Sequence, residues 1–293
     1  MKLTYYESTN FGDALNPIIF PHYLPDFFDQ DSDIEFIGIG SILGFREAQI
    51  AKRKIVFSSG YAYGSIPSLD DTYDIFCVRG PKTCEVLNID KNLAVVDGAM
   101  LLRNMELNNE EKKYKFSFMP HWESELKFDW SHIANLSGIN YISPTEDTEL
   151  VIKKIKQSEV VIAEAMHAAI VADALRVPWI PVRSYKGINS FKWEDWCSSL
   201  EMSYNPYWIG SYYHNTDFMR GVIRDKMKVK IPNGLLSGIL SSYEVYQDTF
   251  MMNKLVAKME HIKTLEPQLS QTSILDSKVD QLLEKFQLIK KKY

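Results

Sequence analysis

Five short clusters gather polar side chains of types that could hold or transform a small anion. The first is Asn10, Phe11, Gly12 and Asp13, with Asn16 just beyond. A glycine followed by aspartate at a strand-to-helix turn lets backbone approach a ligand, and Asp13 could equally serve as a helix cap. The second is GIGSILG, with Gly38, Gly40 and Ser41. It lacks the full spacing of a dinucleotide loop and reads as a turn that presents backbone N–H groups. The third is VRGPKT, where Arg79 ends an apolar run and Lys82 sits in the turn after it. A guanidinium can grip carboxylate or phosphate through two parallel bonds, and an ammonium adds a point charge. Structural salt bridges explain either residue as well. The fourth is His121 after FSFMP, and the fifth is Glu164 and His167 within EAMHAAIVADALRVPW. A lone histidine is usually structural, but two at strand ends could move protons between them. No HExxH spacing occurs among the six histidines, so no catalytic metal is expected.

These clusters need elements to position them. The runs 34–40, 54–60, 73–80 and 94–100 read as buried strands, continuous in apolar residues rather than alternating. That pattern belongs to a parallel sheet covered on both faces. Pro81 opens a helix after Gly80. A polar stretch, 106–114, separates this half from a second series: a strand at 116–121, a helix from about Asp147 with Leu150, Ile152 and Ile155 inward, a strand at 160–164, a helix at 166–176 and a strand at 178–184. The expected class is α/β, with two Rossmann-like domains facing a cleft and a helical C-terminal extension. The expected boundaries are 1–108, 109–205 and 206–293. Near the end, Leu275, Val279, Leu282, Phe286 and Ile289 recur at alternating spacings of four and three. That seam suits either a helix docked on its own chain or a homodimeric coiled coil.

Composition narrows the partners. The 293 residues carry a net charge of −5, which argues against nucleic acid. Aromatics make up 13% and cluster after Phe191, at Trp193, Trp196, Tyr204, Tyr207, Trp208, Tyr212 and Tyr213. Packing is the plainer explanation, sugar contact the other. Cys77, Cys84 and Cys197 have no CxxC spacing and read as buried free thiols of a reducing compartment. No signal peptide or membrane-spanning run stands out, so a cytoplasmic protein is expected, with peripheral contact at the inner face of the membrane left open.

NFGDALNP, VRGPKT, FMPH and EAMHAAIVADALRVPW together resemble the polysaccharide pyruvyl transferase family, in its exopolysaccharide ketal-pyruvate transferase branch. The resemblance spans about residues 1–185. It implies a GT-B-like architecture with no bound cofactor, phosphoenolpyruvate as donor substrate, and a sugar of a lipid-linked polysaccharide unit as acceptor. Capsular or exopolysaccharide synthesis is the implied setting. It carries Gly12 and Asp13 over as cleft residues, Arg79 as a binder of the donor's anionic groups, and His167 as donor contact and acid. Asn10, Ser41, Lys82 and Arg183 complete the expected substrate-binding set. His121 is the second choice of acid, and Asp13 or Glu164 the base. One departure stands out: many members have Arg-Leu-His where this chain has Ala165, Met166 and His167. Either another cation replaces that arginine, with Arg183, Lys82 and Arg46 as the candidates, or the donor differs. Two other readings remain: a glycosyltransferase using a nucleotide sugar on the same architecture, and a non-catalytic subunit of a polysaccharide assembly complex.

Overall fold

The computed structural model describes residues 1–212, 238 and 251–293. The expected helical content between 213 and 250 lies outside the described residues, position 238 apart. The chain begins with β1 (Lys2–Thr4), α1 (Phe11–Ala14) and α2 (Asn16–Tyr23), followed by β2 (Ile34–Ile37), β3 (Arg53–Ser59) and β4 (Tyr73–Val78). These strands form one parallel sheet in the order β1-β2-β3-β4. Next come α3 (Pro81–Leu87), β5 (Tyr114–Met119), α4 (Trp122–Glu125), α5 (Trp130–Leu136) and β6 (Asn140–Tyr141). They are followed by α6 (Thr148–Lys156), β7 (Ser158–Ala163), α7 (Met166–Ala174), β8 (Trp179–Arg183), α8 (Ser190–Ser199) and β9 (Tyr207–Trp208). The second sheet is also parallel, in the order β6-β5-β7-β8-β9. The last helices are α9 (Met252–Ile262) and α10 (Thr272–Lys292). The protein is thus α/β, with two parallel sheets. No helix among the described residues is long and apolar enough to cross a membrane.

Two local expectations change. The run 94–100 makes only a single bridge to the first sheet, Ala94 opposite Val78. Asp97 then caps a 3-10 turn, Gly98–Asn104, by accepting from the Ala99 amide at 3.0 Å. An aspartate-glycine pair favours a cap over a continued strand. In α6, Val151, Ile152 and Ile155 are buried while Leu150 is 40% exposed, so the inward face is rotated by one residue. Asp147 caps this helix through the Leu150 amide, 3.0 Å away.

Helix α7 is buried on nearly every side because it lies between the halves, against the 3-10 turn, α1 and α6. A helix apolar all round has no other stable place in water. Its Asp173 is satisfied by the Trp179 indole at 3.0 Å and the Ser270 amide at 2.9 Å.

The heptad seam of α10 packs on the chain itself. Leu275, Val279, Leu282, Phe286 and Ile289 are all buried, and Phe286 stacks on Phe57 of β3 at 4.3 Å and Tyr23 of α2 at 5.4 Å. Beyond the seam, Lys292 bonds Asp74 of β4 at 2.6 Å. The C-terminal helix is therefore part of the first sheet's core, and the docked-helix alternative is the one observed. The aromatic cluster after Phe191 is likewise mostly packing: Trp193 and Trp196 are fully buried beside Trp179, and Tyr204 stacks on Trp193 at 4.7 Å. Cys77, Cys84 and Cys197 are buried and unpaired. Truncating the ring that joins α10 to the first sheet, Phe286→Ala, is expected to cost about 3–5 kcal/mol in denaturant unfolding.

Candidate active site

Ligands in open parallel sheets bind outside the carboxyl ends of the strands, at the point where strand order reverses. In the second sheet that point lies between β5 and β7. His121 follows β5, and Glu164 through His167 follow β7. The loop after β1 and the turn after β2 face the same place from the first half. A hollow of about 530 Å³ opens there, within the roughly 300–1,000 Å³ of small-molecule sites. Asn10, Gly12, Asp13, Ser41, His121 and His167 all line it.

The two halves meet closely at this hollow. The Phe11 amide donates to Pro144 O at 2.7 Å. A Cβ on Gly12 would lie 2.0 Å from His167 Nδ1, so only glycine leaves room for the imidazole. Asp13 accepts from Ser8 Oγ at 2.8 Å and Asn10 Nδ2 at 2.9 Å. Asn16 ties the first helices to the end of β2, receiving the Ile39 amide at 2.8 Å and donating to Ile39 O at 3.0 Å.

His167 occupies the first turn of α7. Its Nε2 is buried, has no hydrogen-bond partner among the described residues, and lies 3.8 Å from Oδ1 of the fully buried Asp97. That separation is too long for a hydrogen bond but close enough for strong electrostatic attraction. Burial pushes the Asp97 carboxyl up, yet the attraction of His167 and Arg79 outweighs it and holds the group below the usual carboxylate range. The ionised carboxylate thus stands directly behind the imidazole ring.

His121 is different. Its Nδ1 accepts from the Glu123 amide at 3.3 Å, which leaves the ring proton on Nε2. Burial, with Lys192 and Lys127 nearby, lowers its pKa to about 3. The ring is neutral at ordinary pH and offers a hydrogen-bond donor, not a stored proton.

Four expected site residues and the candidate cation Arg46 lie elsewhere. Arg79 is fully buried beneath the hollow and does not line it. Its Nε donates to Asp195 Oδ2 at 3.0 Å, its Nη1 to Ser41 Oγ at 2.6 Å, and its Nη2 to Tyr61 O at 3.4 Å. Its hydrogen bond to the hollow runs through Ser41, and its charge is felt by Asp97 and Lys192. Glu164 is also fully buried, receiving the Ser184 amide at 2.6 Å, Ser184 Oγ at 2.5 Å and the His121 amide at 3.0 Å. Burial raises its carboxyl pKa while these bonds oppose the rise. It pins the ends of β5, β7 and β8 together. Lys82 pairs with Glu194 at 2.5 Å at the surface. Arg183 donates to the carbonyls of Tyr185, Lys186 and Ile188 at 3.1, 2.7 and 3.2 Å, holding its own loop. Arg46 is exposed in a 3-10 turn, Arg46–Gln49.

Among the described residues lining the hollow, Lys192 is the one lysine or arginine. It sits in the first turn of α8, whose N-cap Asn189 accepts from the Phe191 amide at 3.0 Å. Burial and the charge of Arg79 lower its pKa to about 8, against the pull of Asp13 and Glu123. The sequence held one hint of it: a lysine in a first turn opposes the helix dipole and needs another reason to be there. Asp97 had a similar sign, an acid inside the apolar run AVVDGAM.

Two parallel sheets that turn polar carboxyl edges toward one hollow define an α/β protein with a candidate small-ligand site between its halves. The particular family follows from likeness to known proteins. The profile of the Polysaccharide pyruvyl transferase family matches residues 10–185, and the chain belongs to that family. Succinoglycan biosynthesis protein ExoV of Rhizobium meliloti (strain 1021) is 41% identical over 211 residues, which cover 70% of this chain and 67% of that protein. No solved structure matches. The matched segment ends before Lys192, so family likeness alone would not have pointed to it.

Asp195 holds α8 in place by accepting from Arg79, from the Thr83 amide at 2.9 Å and from Thr83 Oγ1 at 2.7 Å. Asp195→Ala leaves a buried guanidinium uncompensated and is expected to cost about 3–5 kcal/mol in equilibrium unfolding.

Proposed function

We propose that the protein transfers pyruvate from phosphoenolpyruvate to a sugar of a growing exopolysaccharide unit, forming a ketal. The observation that carries this reading is the convergence of Lys192, Ser41 and His167 on one hollow. Lys192 takes the place of the family arginine absent before His167, and supplies the cation for the donor's phosphate or carboxylate. Amides at the first turn of α7 add further donors.

His167 gives its proton to the methylene carbon of the donor, with the Asp97 carboxylate 3.8 Å behind its ring. The adjacent carbon becomes oxocarbenium-like, and one sugar hydroxyl attacks it. That hydroxyl's proton returns to His167. The carbon–oxygen bond to phosphate then breaks, the second hydroxyl closes the ring, and its proton leaves with the phosphate. Asp13, which lines the hollow, accepts a hydroxyl proton in transit in this reading. Neutral His121 orients the donor through Nε2–H.

The likeness to a succinoglycan biosynthesis protein supports exopolysaccharide as the setting. We read the two sheets as the halves of a GT-B-like arrangement, working in the cytoplasm or at the inner face of the membrane on a lipid-linked acceptor.

Phosphate release from phosphoenolpyruvate plus acceptor tests the reaction. His167→Ala is expected to lower kcat by about 10²–10⁴-fold; near-normal turnover would remove it from the mechanism. Thermal shift separates donors: stabilisation by phosphoenolpyruvate supports this reading, and stabilisation by uridine diphosphate instead supports a nucleotide-sugar glycosyltransferase. Silence with both favours a non-catalytic role.

Lys192 is cationic below a pKa of about 8 and neutral above it. Donor affinity is therefore expected to fall as pH rises through that region. Lys192→Met should weaken donor binding about 10–100-fold at neutral pH and abolish this alkaline fall, as measured by calorimetric titration.

A further inference from the structure

Three aromatic side chains line the hollow while keeping much of their surface in water: Tyr6 is 58% exposed, Tyr63 41% and Trp122 40%. Elsewhere the large aromatics are mostly spent on packing. Of the exposed ones among the described residues, only Trp208 and Tyr293 stand away from this mouth. The three come from separate places in the chain: the loop after β1, the loop after β3, and α4. No local pattern gathers them, so the fold does. Phe45 bridges two of them, with its ring 6.3 Å from Tyr6 and 6.5 Å from Tyr63. Hydrogen-bonding groups from Asn10 and Glu123 border the same opening.

Large exposed aromatics grouped at one opening signal contact with a ligand. An aromatic face is electron-rich and apolar. One face of a pyranose ring carries weakly positive C–H groups, and its rim carries hydroxyls. The combination of stacking faces with a carboxylate and an amide beside them fits such a ring. The hollow is also larger than a donor as small as phosphoenolpyruvate requires, which leaves room for a second reactant. A nucleoside base could stack here too. Its phosphates would call for several cations, and among the described lining residues Lys192 is the one lysine or arginine.

We propose that Tyr6, Tyr63 and Trp122 form the acceptor subsite, a stacking face that receives a pyranose ring and presents its hydroxyls toward His167. This rests on reading the hollow as a pyruvyl-transfer site. Tyr63 joins the two subsites, since Lys192 Nζ stands 5.9 Å from its ring.

The test is saturation-transfer NMR on the full chain with methyl β-D-glucopyranoside, methyl β-D-galactopyranoside and cellobiose, alongside thermal shift with phosphoenolpyruvate. Saturation should reach the C–H face of at least one of these sugars. Trp122→Ala and Tyr6→Ala should each weaken that sugar's binding about three- to tenfold, while Trp122→Phe and the distant Trp208→Ala keep it. The phosphoenolpyruvate shift should be the same in all these variants. Equal sugar binding in Trp122→Ala and the parent would overturn the proposal. So would the absence of any sugar signal, or stacking of uridine that depends on Trp122 while no sugar binds. Sugar binding that depends on the aromatics, with no response to phosphoenolpyruvate, would leave the acceptor face standing and sink the donor assignment.

Discussion

The buried pair of Arg79 and Asp195 sets the geometry of the site. Both side chains are fully buried, and a pair so placed holds only if nearly every donor and acceptor is met. Here they are: the guanidinium also reaches Ser41 and Tyr61, and the carboxylate also receives the Thr83 amide and hydroxyl. Space for the pair is made by glycines. A Cβ on Gly60 would fall 2.3 Å from the Arg79 guanidinium, and one on Gly80 would fall 2.1 Å from Asp195 O. Because the arginine directly follows β4 and the aspartate lies in α8, the pair fastens the two halves together. Lys192 lies one helical turn before Asp195, so fixing the aspartate also fixes where the lysine points.

A second clamp acts on the opposite side of the hollow. Gly12 admits the His167 ring, and the Phe11 amide is bonded to Pro144. Between the clamps lies α7, apolar all round, with the 3-10 turn that carries Asp97 packed beside it. The continuous core explains how the imidazole and the carboxylate, seventy positions apart in the chain, come to face each other. It also leaves His167 Nε2 and Asp97 Oδ2 without hydrogen-bond partners among the described residues. Buried polar atoms are normally satisfied, and each exception calls for an explanation, a catalytic role among them.

Charge is divided across the hollow in a way that suits this use. Lys192 gives the positive pole and is held near its titration range by burial beside another cation. His121 stays neutral, with Nδ1 occupied as an acceptor and the ring proton left to Nε2. Asp97 keeps its negative charge behind His167, on the protein side of the ring.

Much was legible in the residues alone. Continuous apolar runs ending in glycine, arginine or histidine announce parallel strands, since such strands are covered on both faces. Polar residues just past those runs fall at the carboxyl edge, where six of the proposed site residues do surround the hollow. Only the tertiary structure decided what each polar group has as neighbour. Arg79 looks like a ligand-binding cation until Asp195, far along the chain, is seen to occupy it. Glu164 looks like a base until its oxygens are seen to hold three strand ends. Lys192 and Asp97 enter the site for the converse reason, because folding leaves them facing the hollow or the histidine. The heptads of α10 obey the same limit: spacing reveals that a face is apolar, whereas the surface that covers it, here β3 and α2, is set by packing across the whole chain.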